Sequence, residues 1–186
     1  MINKVSAILS EEIKLRLNSS DNDREVYAYS IEVLLSLLIN FIILAITAYI
    51  LKKSAELVIF IIFFSGLRIY AGGYHAKTHL ECISISFVIF IISSLSNNIL
   101  KSYSEILLFV GLAFSVLMVF VFAPAETENK PLSKDERIKY RRFSRIIVLT
   151  LSIAAIILYF MRAATNHIFI TAVVSMIIES ISLLKK

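Results

Sequence analysis

Sulfur is scarce in this sequence: one cysteine, Cys82, stands among 186 residues. No intramolecular disulfide can form, and a cysteine-rich metal cage is excluded. Charge is missing where the chain is most apolar. Within its long apolar runs only Glu32, Glu56, Arg68 and Glu179 are charged, and all lie toward the ends of the runs. Coupled transport usually needs ionisable groups near mid-membrane, so a transporter or channel lined by Arg68, Glu56 and Asn97–Asn98 is the weaker alternative. The alternation of apolar and polar positions that marks a membrane β-barrel is absent. Repeats and low-complexity tracts are absent as well. Met1 to Leu17 carries Glu11 and Glu12 among spaced apolar residues, with neither a compact apolar core nor a small-residue cleavage site, so a cleaved signal peptide is not expected.

Apolar residues fill the chain instead. They make up 58% of it, against roughly 45–50% in an ordinary soluble domain, and the mean hydropathy is +0.82. Six runs follow one another: Ile31 to Leu51, Ala55 to about Ala71, Ile83 to Leu100, Ile106 to Ala123, Ile146 to Met161 and Ile168 to Leu184. At 1.5 Å per residue they reach roughly 24 to 32 Å, enough to cross a bilayer when the shorter ones borrow interfacial flanks. The expected fold is an all-α polytopic membrane protein, a single integral membrane domain over residues 1–186 with about six transmembrane helices. Ahead of them, within residues 1–22, Ile2, Val5, Leu9 and Ile13 recur at helical spacing among Lys4, Glu11, Glu12 and Lys14, the pattern of an amphipathic surface helix. Asp21 or Asp23 is available to cap the helix that follows. Spans one to four occupy 31–123, a basic loop 124–145, and spans five and six 146–184.

Basic residues orient the chain. The N-terminal segment, the second and fourth loops and the C-terminus together hold fifteen of the nineteen Lys and Arg residues. The opposite loops hold Lys52, Lys53, Lys101 and Arg162. Positive-inside bias then places both termini, the 68–82 segment and the 124–145 loop in the cytoplasm. Six cations at Lys134, Arg137, Lys139, Arg141, Arg142 and Arg145 make a strong local field for anionic lipids or an acidic peptide.

Between spans two and three, Arg68 to Cys82 gathers two of the four glycines, two of the three histidines and the only cysteine. A nucleophilic thiol needs a base or a field that favours thiolate, and His75, His79 and the start of a helix at Cys82 can provide them. Gly72 and Gly73 can turn tightly and present N–H groups to an oxyanion. Each feature also has a plain structural use: a buried small residue, a turn, an interfacial anchor, and a snorkelling Arg68. A metal reading competes, because His75, His79 and Cys82 would share one face of a continuous helix with Glu81 nearby. No metal and no cofactor is expected.

Arg68, Ala71, Gly72, Gly73, His75, Ala76 and Cys82 match the pattern of Arg, two residues, Ala-Gly-Gly, one residue, His-Ala, five residues, Cys. This segment resembles the accessory gene regulator protein B family, the membrane endopeptidases that process quorum-sensing propeptides in Gram-positive bacteria. The resemblance implies that Cys82 attacks a peptide bond of a small propeptide with His75 as base. It further implies that the C-terminal tail leaves and that the thioester closes to a cyclic thiolactone or lactone. Arg68, Lys134, Arg137 and Lys139 are the candidate substrate-binding residues, with a propeptide bearing an acidic tail as partner, anionic lipids beside it, no nucleic acid, and a homodimer left open. A non-catalytic scaffold for the propeptide is the other alternative.

Spacing adds a constraint. Seven residues of unbroken helix would hold His75 and Cys82 about 10.5 Å apart, so the helix has to break between them, at Gly72–Gly73 or Thr78. With an intact helix His79 is the closer base. Glu81 and Ser86 are candidates for a third catalytic group. For the topology, in a Cys82→Ser background, a cysteine placed at Lys52 or Lys101 is expected to react with an impermeant maleimide added outside cells, and one at Ser133 to stay unlabelled. The reverse pattern would overturn the orientation.

Overall fold

The structure is a computed structural model that describes residues 2–17, 20–74, 78–125 and 132–184, without the side chains of 162–166. Every regular element among the described residues is helical. The chain divides into two compact units, residues 1–46 and 47–186.

In the first unit, α1 spans Ile2–Leu17 and α2, which continues into the second unit, spans Asp21–Ile50. Ser20 and Asp23 cap α2 reciprocally: Asp23 N–H donates to Ser20 Oγ at 3.2 Å and Ser20 N–H to Asp23 Oδ2 at 3.1 Å. The cap residue is thus Ser20, with Asp23 in the returning role and Asp21 outside it. Asp21 is held instead by Lys14 at 2.6 Å, a hydrogen bond that raises the Lys14 pKa above the ordinary lysine value, and Arg24 meets Glu11 at 3.2 Å. On α1 the buried positions are Ser6 and Ser10, one turn apart, while Val5, Ile8 and Leu9 are exposed. Leu34, Leu37, Leu38, Phe41 and Ile42 of α2 are exposed too. A helix that shows so much apolar surface needs an apolar solvent.

The second unit is built on α3 (Ser54–Ala71, interrupted by a π-helical turn at Ile61–Ser65), α4 (His79–Leu95), α5 (Leu112–Phe122), α6 (Lys134–Phe160) and α7 (Arg162–Ser182). The runs Asp21–Ile50, Ser54–Ala71, His79–Phe122 and Lys134–Phe160 are each long and apolar enough to cross a bilayer, and His167–Ser182 is a shorter apolar helix.

The run His79–Phe122 holds 44 residues and would measure about 66 Å if straight. It folds back. The Thr171 hydroxyl donates to Ser93 O at 3.4 Å, and a Cβ on Gly111 would stand 3.0 Å from Val173 Cγ1. Ser93 and Gly111 therefore meet nearly the same level of α7, although a straight helix would separate them by about 27 Å. The reversal uses a turn at Ser96 and a 3-10 turn at Lys101–Tyr103, so the two apolar runs form two passes, as their spacing predicts.

Helix α7 is the centre of this unit: every residue from Phe169 to Met176 is buried, and α3, α4, α5 and α6 all pack on it. Phe63, Leu67, Leu112, Val119, Val148, Ala155, Phe169, Val173 and Met176 form the core between them. The segment expected as a basic loop is helical from Lys134 onward. Ser133 and Glu136 form a capping box that starts α6 some twelve residues before its apolar part. Tyr70 of α3 stacks on Phe143 of α6, and Arg145 of α6 donates to Phe120 O of α5 at 3.1 Å. The C-terminal ends of α3 and α5 and the N-terminal half of α6 therefore lie together.

Candidate active site

Helix α3 ends at Ala71 because Gly72 takes φ 79° and ψ −143° as its cap, a conformation that L side chains rarely adopt. Gly72 N–H donates to Arg68 O at 3.0 Å, closing the last turn, and Ala125 N–H donates to Ala71 O at 2.8 Å. A Cβ on Gly72 would stand 2.3 Å from Ala125 O, so the strand-like segment after α5 lies directly against this glycine. Gly73 is buried with φ 126°, and its Cβ would stand 2.4 Å from Ser182 Oγ and 2.9 Å from Glu179 Oε1. The two glycines thus serve two different close approaches, one to the chain beyond α5 and one to the end of α7.

Arg68 stands one turn before them. Its Nη1 meets Glu179 Oε2 at 3.2 Å, its Nη2 donates to Tyr74 O, and its guanidinium lies 5.6 Å from the centre of the Phe64 ring. Glu179 has no exposed surface. Glu179 Oε1 and Ser182 Oγ are buried side by side against Gly73. Arg68, a candidate for binding substrate, is thereby committed to the end of α7 and to the backbone of the loop.

The next helix starts cleanly. Thr78 is extended at φ −130°, ψ 153°, and its side chain accepts from Glu81 N–H at 3.2 Å as the N-cap of α4. Cys82 N–H donates to Thr78 O at 3.1 Å, which places the thiol at the close of the first turn. The helix therefore breaks between Ala71 and His79, with bends at Gly72–Gly73 and Thr78, as the spacing requires. This break also removes the continuous helix on which the metal reading relied. Cys82 is half-buried and shares a stripe with half-buried His79 and Ser86 and with buried Phe90, Ser93 and Asn97. Ser86 thus shares the face of Cys82, whereas Glu81 is exposed beside it. His75 lies outside the described residues.

The ends of α4 and α7 are in register. Gly73 lies on Ser182 and Thr78 is four residue steps on from Tyr74, a reach of at most about 14 Å, while Ser93 lies on Thr171. Helix α4 therefore runs antiparallel to α7, and stepping back from Ser93 to Cys82 covers the same eleven residues, about 16 Å, as stepping forward from Thr171 to Ser182. Cys82 is level with Glu179 and Ser182. At the same end Lys134, Arg137 and Lys139 are exposed in the first turns of α6, with Lys134, Arg137 and Arg141 on one face. With the Gly72 amide engaged by Arg68, the Gly73 amide is the one without a partner among the described residues.

Sequence reasoning did not find Glu179, Ser182 and Ala125 as neighbours of the glycines. An acidic residue inside an apolar run is the signal that could have pointed at Glu179.

These features define an all-α membrane protein with a glycine-turned thiol site at one end of its helices. The chain belongs to the accessory gene regulator B family, whose model matches residues 2–183. It is 30% identical over 170 residues to an AgrB-like protein of Clostridium perfringens strain SM101, covering 86% of this chain and 79% of that one. To an AgrB-like protein of Listeria innocua it is 32% identical over 164 residues, covering 84% and 80%. No solved structure gives a significant match.

The close approaches predict that Gly72→Ala and Gly73→Ala each lower the thermal unfolding midpoint in lipid by about 2–4 °C, through the positive φ that alanine resists and through collision. Gly66, in a helix with nothing within 4 Å of its Cβ position, should accept alanine without loss. Equal tolerance at all three glycines would contradict the geometry.

Proposed function

We propose that this protein is a membrane cysteine endopeptidase that cleaves a small quorum-sensing propeptide and closes the product into a ring. Membership of the accessory gene regulator B family supports a role in quorum-sensing peptide processing. The observation that carries the finer reading is the place of Cys82, the single thiol, half-buried at the first turn of α4 and level with the Gly73 turn.

In this reading His75 takes the thiol proton as Sγ bonds to the scissile carbonyl carbon. The Gly73 N–H supports the oxyanion. Collapse of the tetrahedral adduct breaks the C–N bond, and His75 returns its proton to the departing amine of the C-terminal tail. The N-terminal fragment remains as a thioester on Cys82. A cysteine thiol within that fragment then attacks the thioester carbonyl, forming the thiolactone and restoring the Cys82 thiol; a serine in its place gives a lactone. The exposed cations Lys134, Arg137 and Lys139 draw the acidic tail and anionic headgroups toward this end, which faces the cytoplasm of the bacterial cell membrane.

Propeptide cleavage by purified variants in lipid tests the reading. Cys82→Ala is expected to lose cleavage outright, His75→Ala to lose about 10²–10⁴-fold, and His79→Ala to stay active. A dead His79→Ala beside an active His75→Ala would move the base to His79. Cleavage retained by Cys82→Ala would make the chain a scaffold for another protease. In the same assay, Gln at Lys134, Arg137 and Lys139 together is expected to weaken processing most at low salt. Unchanged processing would leave those cations a purely topological role.

A further inference from the structure

We infer that Glu179 is a positioning residue for the Cys82 site, acting directly and through Arg68 as a clamp on the backbone at Gly73 and Tyr74. The inference rests on the peptidase reading and adds a residue from the far end of the sequence to it.

Three observations converge on Glu179. Its carboxylate has no exposed surface, so it is in place for a partner rather than for solvent. Its Oε2 holds Arg68 Nη1 at 3.2 Å while the other guanidinium nitrogen donates to Tyr74 O. A guanidinium is a planar fork, so fixing one arm on Glu179 fixes where the other meets the backbone. Its Oε1, together with Ser182 Oγ, borders the space where a Cβ of Gly73 would stand. Glu179 therefore touches the loop twice, directly at Gly73 and through Arg68 at Tyr74. From Tyr74 the chain has four residues to reach Thr78, whose cap sets the first turn of α4 and with it Cys82. Losing the clamp frees the backbone that leads into the thiol while leaving the exposed cations of α6 unaffected. Its removal therefore acts on turnover and not on propeptide capture.

The test uses the full-length protein in lipid with Glu179→Gln, which keeps the shape and removes the charge. Its companion, Arg68→Met/Glu179→Leu, removes both members and leaves no unpaired buried charge. Two readouts apply: kcat and KM for propeptide cleavage, and the rate at which iodoacetamide alkylates the single thiol Cys82, followed by mass. Both variants are expected to fold, with kcat at least tenfold lower, KM within twofold of wild type, and the alkylation rate changed at least threefold. A folded variant with wild-type kcat and alkylation rate overturns the inference, as does a loss confined to KM. If neither variant folds, the pair is a folding element only, and the positioning role is overturned. The alkylation arm needs no propeptide: a threefold change there supports the clamp even if Cys82→Ala proves able to cleave, a result that would sink the peptidase reading alone.

Discussion

Burying the carboxylate of Glu179 inside an apolar helical bundle is costly unless a cation meets it, and Arg68 is the cation that does. Removing one member of a fully buried pair costs about 3–5 kcal/mol, because the other is left charged and unpaired; here the cost is smaller, since 26% of the Arg68 side chain is exposed. The pair joins residues 111 positions apart in the chain, so it locks the end of α3 to the end of α7. Much of the site's geometry follows from that lock. The Gly-Gly turn can fold only where glycine lets the backbone pass Ala125 on one side and Glu179 and Ser182 on the other. The loop beyond it is held at Tyr74, and α4 starts a short chain-length away.

The rest of the second unit serves to present that end. Helix α7 is enclosed from Phe169 to Met176, and the antiparallel passage of α4 along it brings Cys82 to the level of Ser182. The fold-back within His79–Phe122 returns α5 beside α7, where Gly111 permits close contact with Val173 and Ile177. That return delivers Ala125 to Gly72. Helix α6 starts at the same end with exposed cations, so a thiol at a helix start, a tight glycine turn and a cationic approach share one region.

Much of this was legible from residue order, and the reasons differ by feature. The six apolar runs were visible because bilayer thickness imposes a length on any helix that crosses it. The break ahead of Cys82 was legible because an unbroken helix would hold His75 and Cys82 about 10.5 Å apart; extended Thr78 supplies it, with the Gly72–Gly73 turn further upstream. Local competition hid other details. Ser20 caps α2 because its hydroxyl and the Asp23 carboxylate three residues on satisfy each other's backbone N–H, and hydropathy gave no hint that Lys134 to Arg145 is helical, although the Ser133–Glu136 capping box was present in the sequence. The partnership of Glu179 with Arg68 could not be read at all, since nothing local in either residue's neighbourhood specifies a contact across most of the chain.

The central claim is that Cys82 carries the propeptide as a thioester before the ring closes. Intact-mass measurement of the lipid-embedded protein, quenched in acid at short times after mixing with propeptide, tests it most directly. The account predicts a transient adduct equal in mass to the N-terminal propeptide fragment less water, removed by hydroxylamine and absent in Cys82→Ala. Cleavage that proceeds with no adduct at any time, releasing a linear acid that carries solvent oxygen at its new C-terminus, would contradict it.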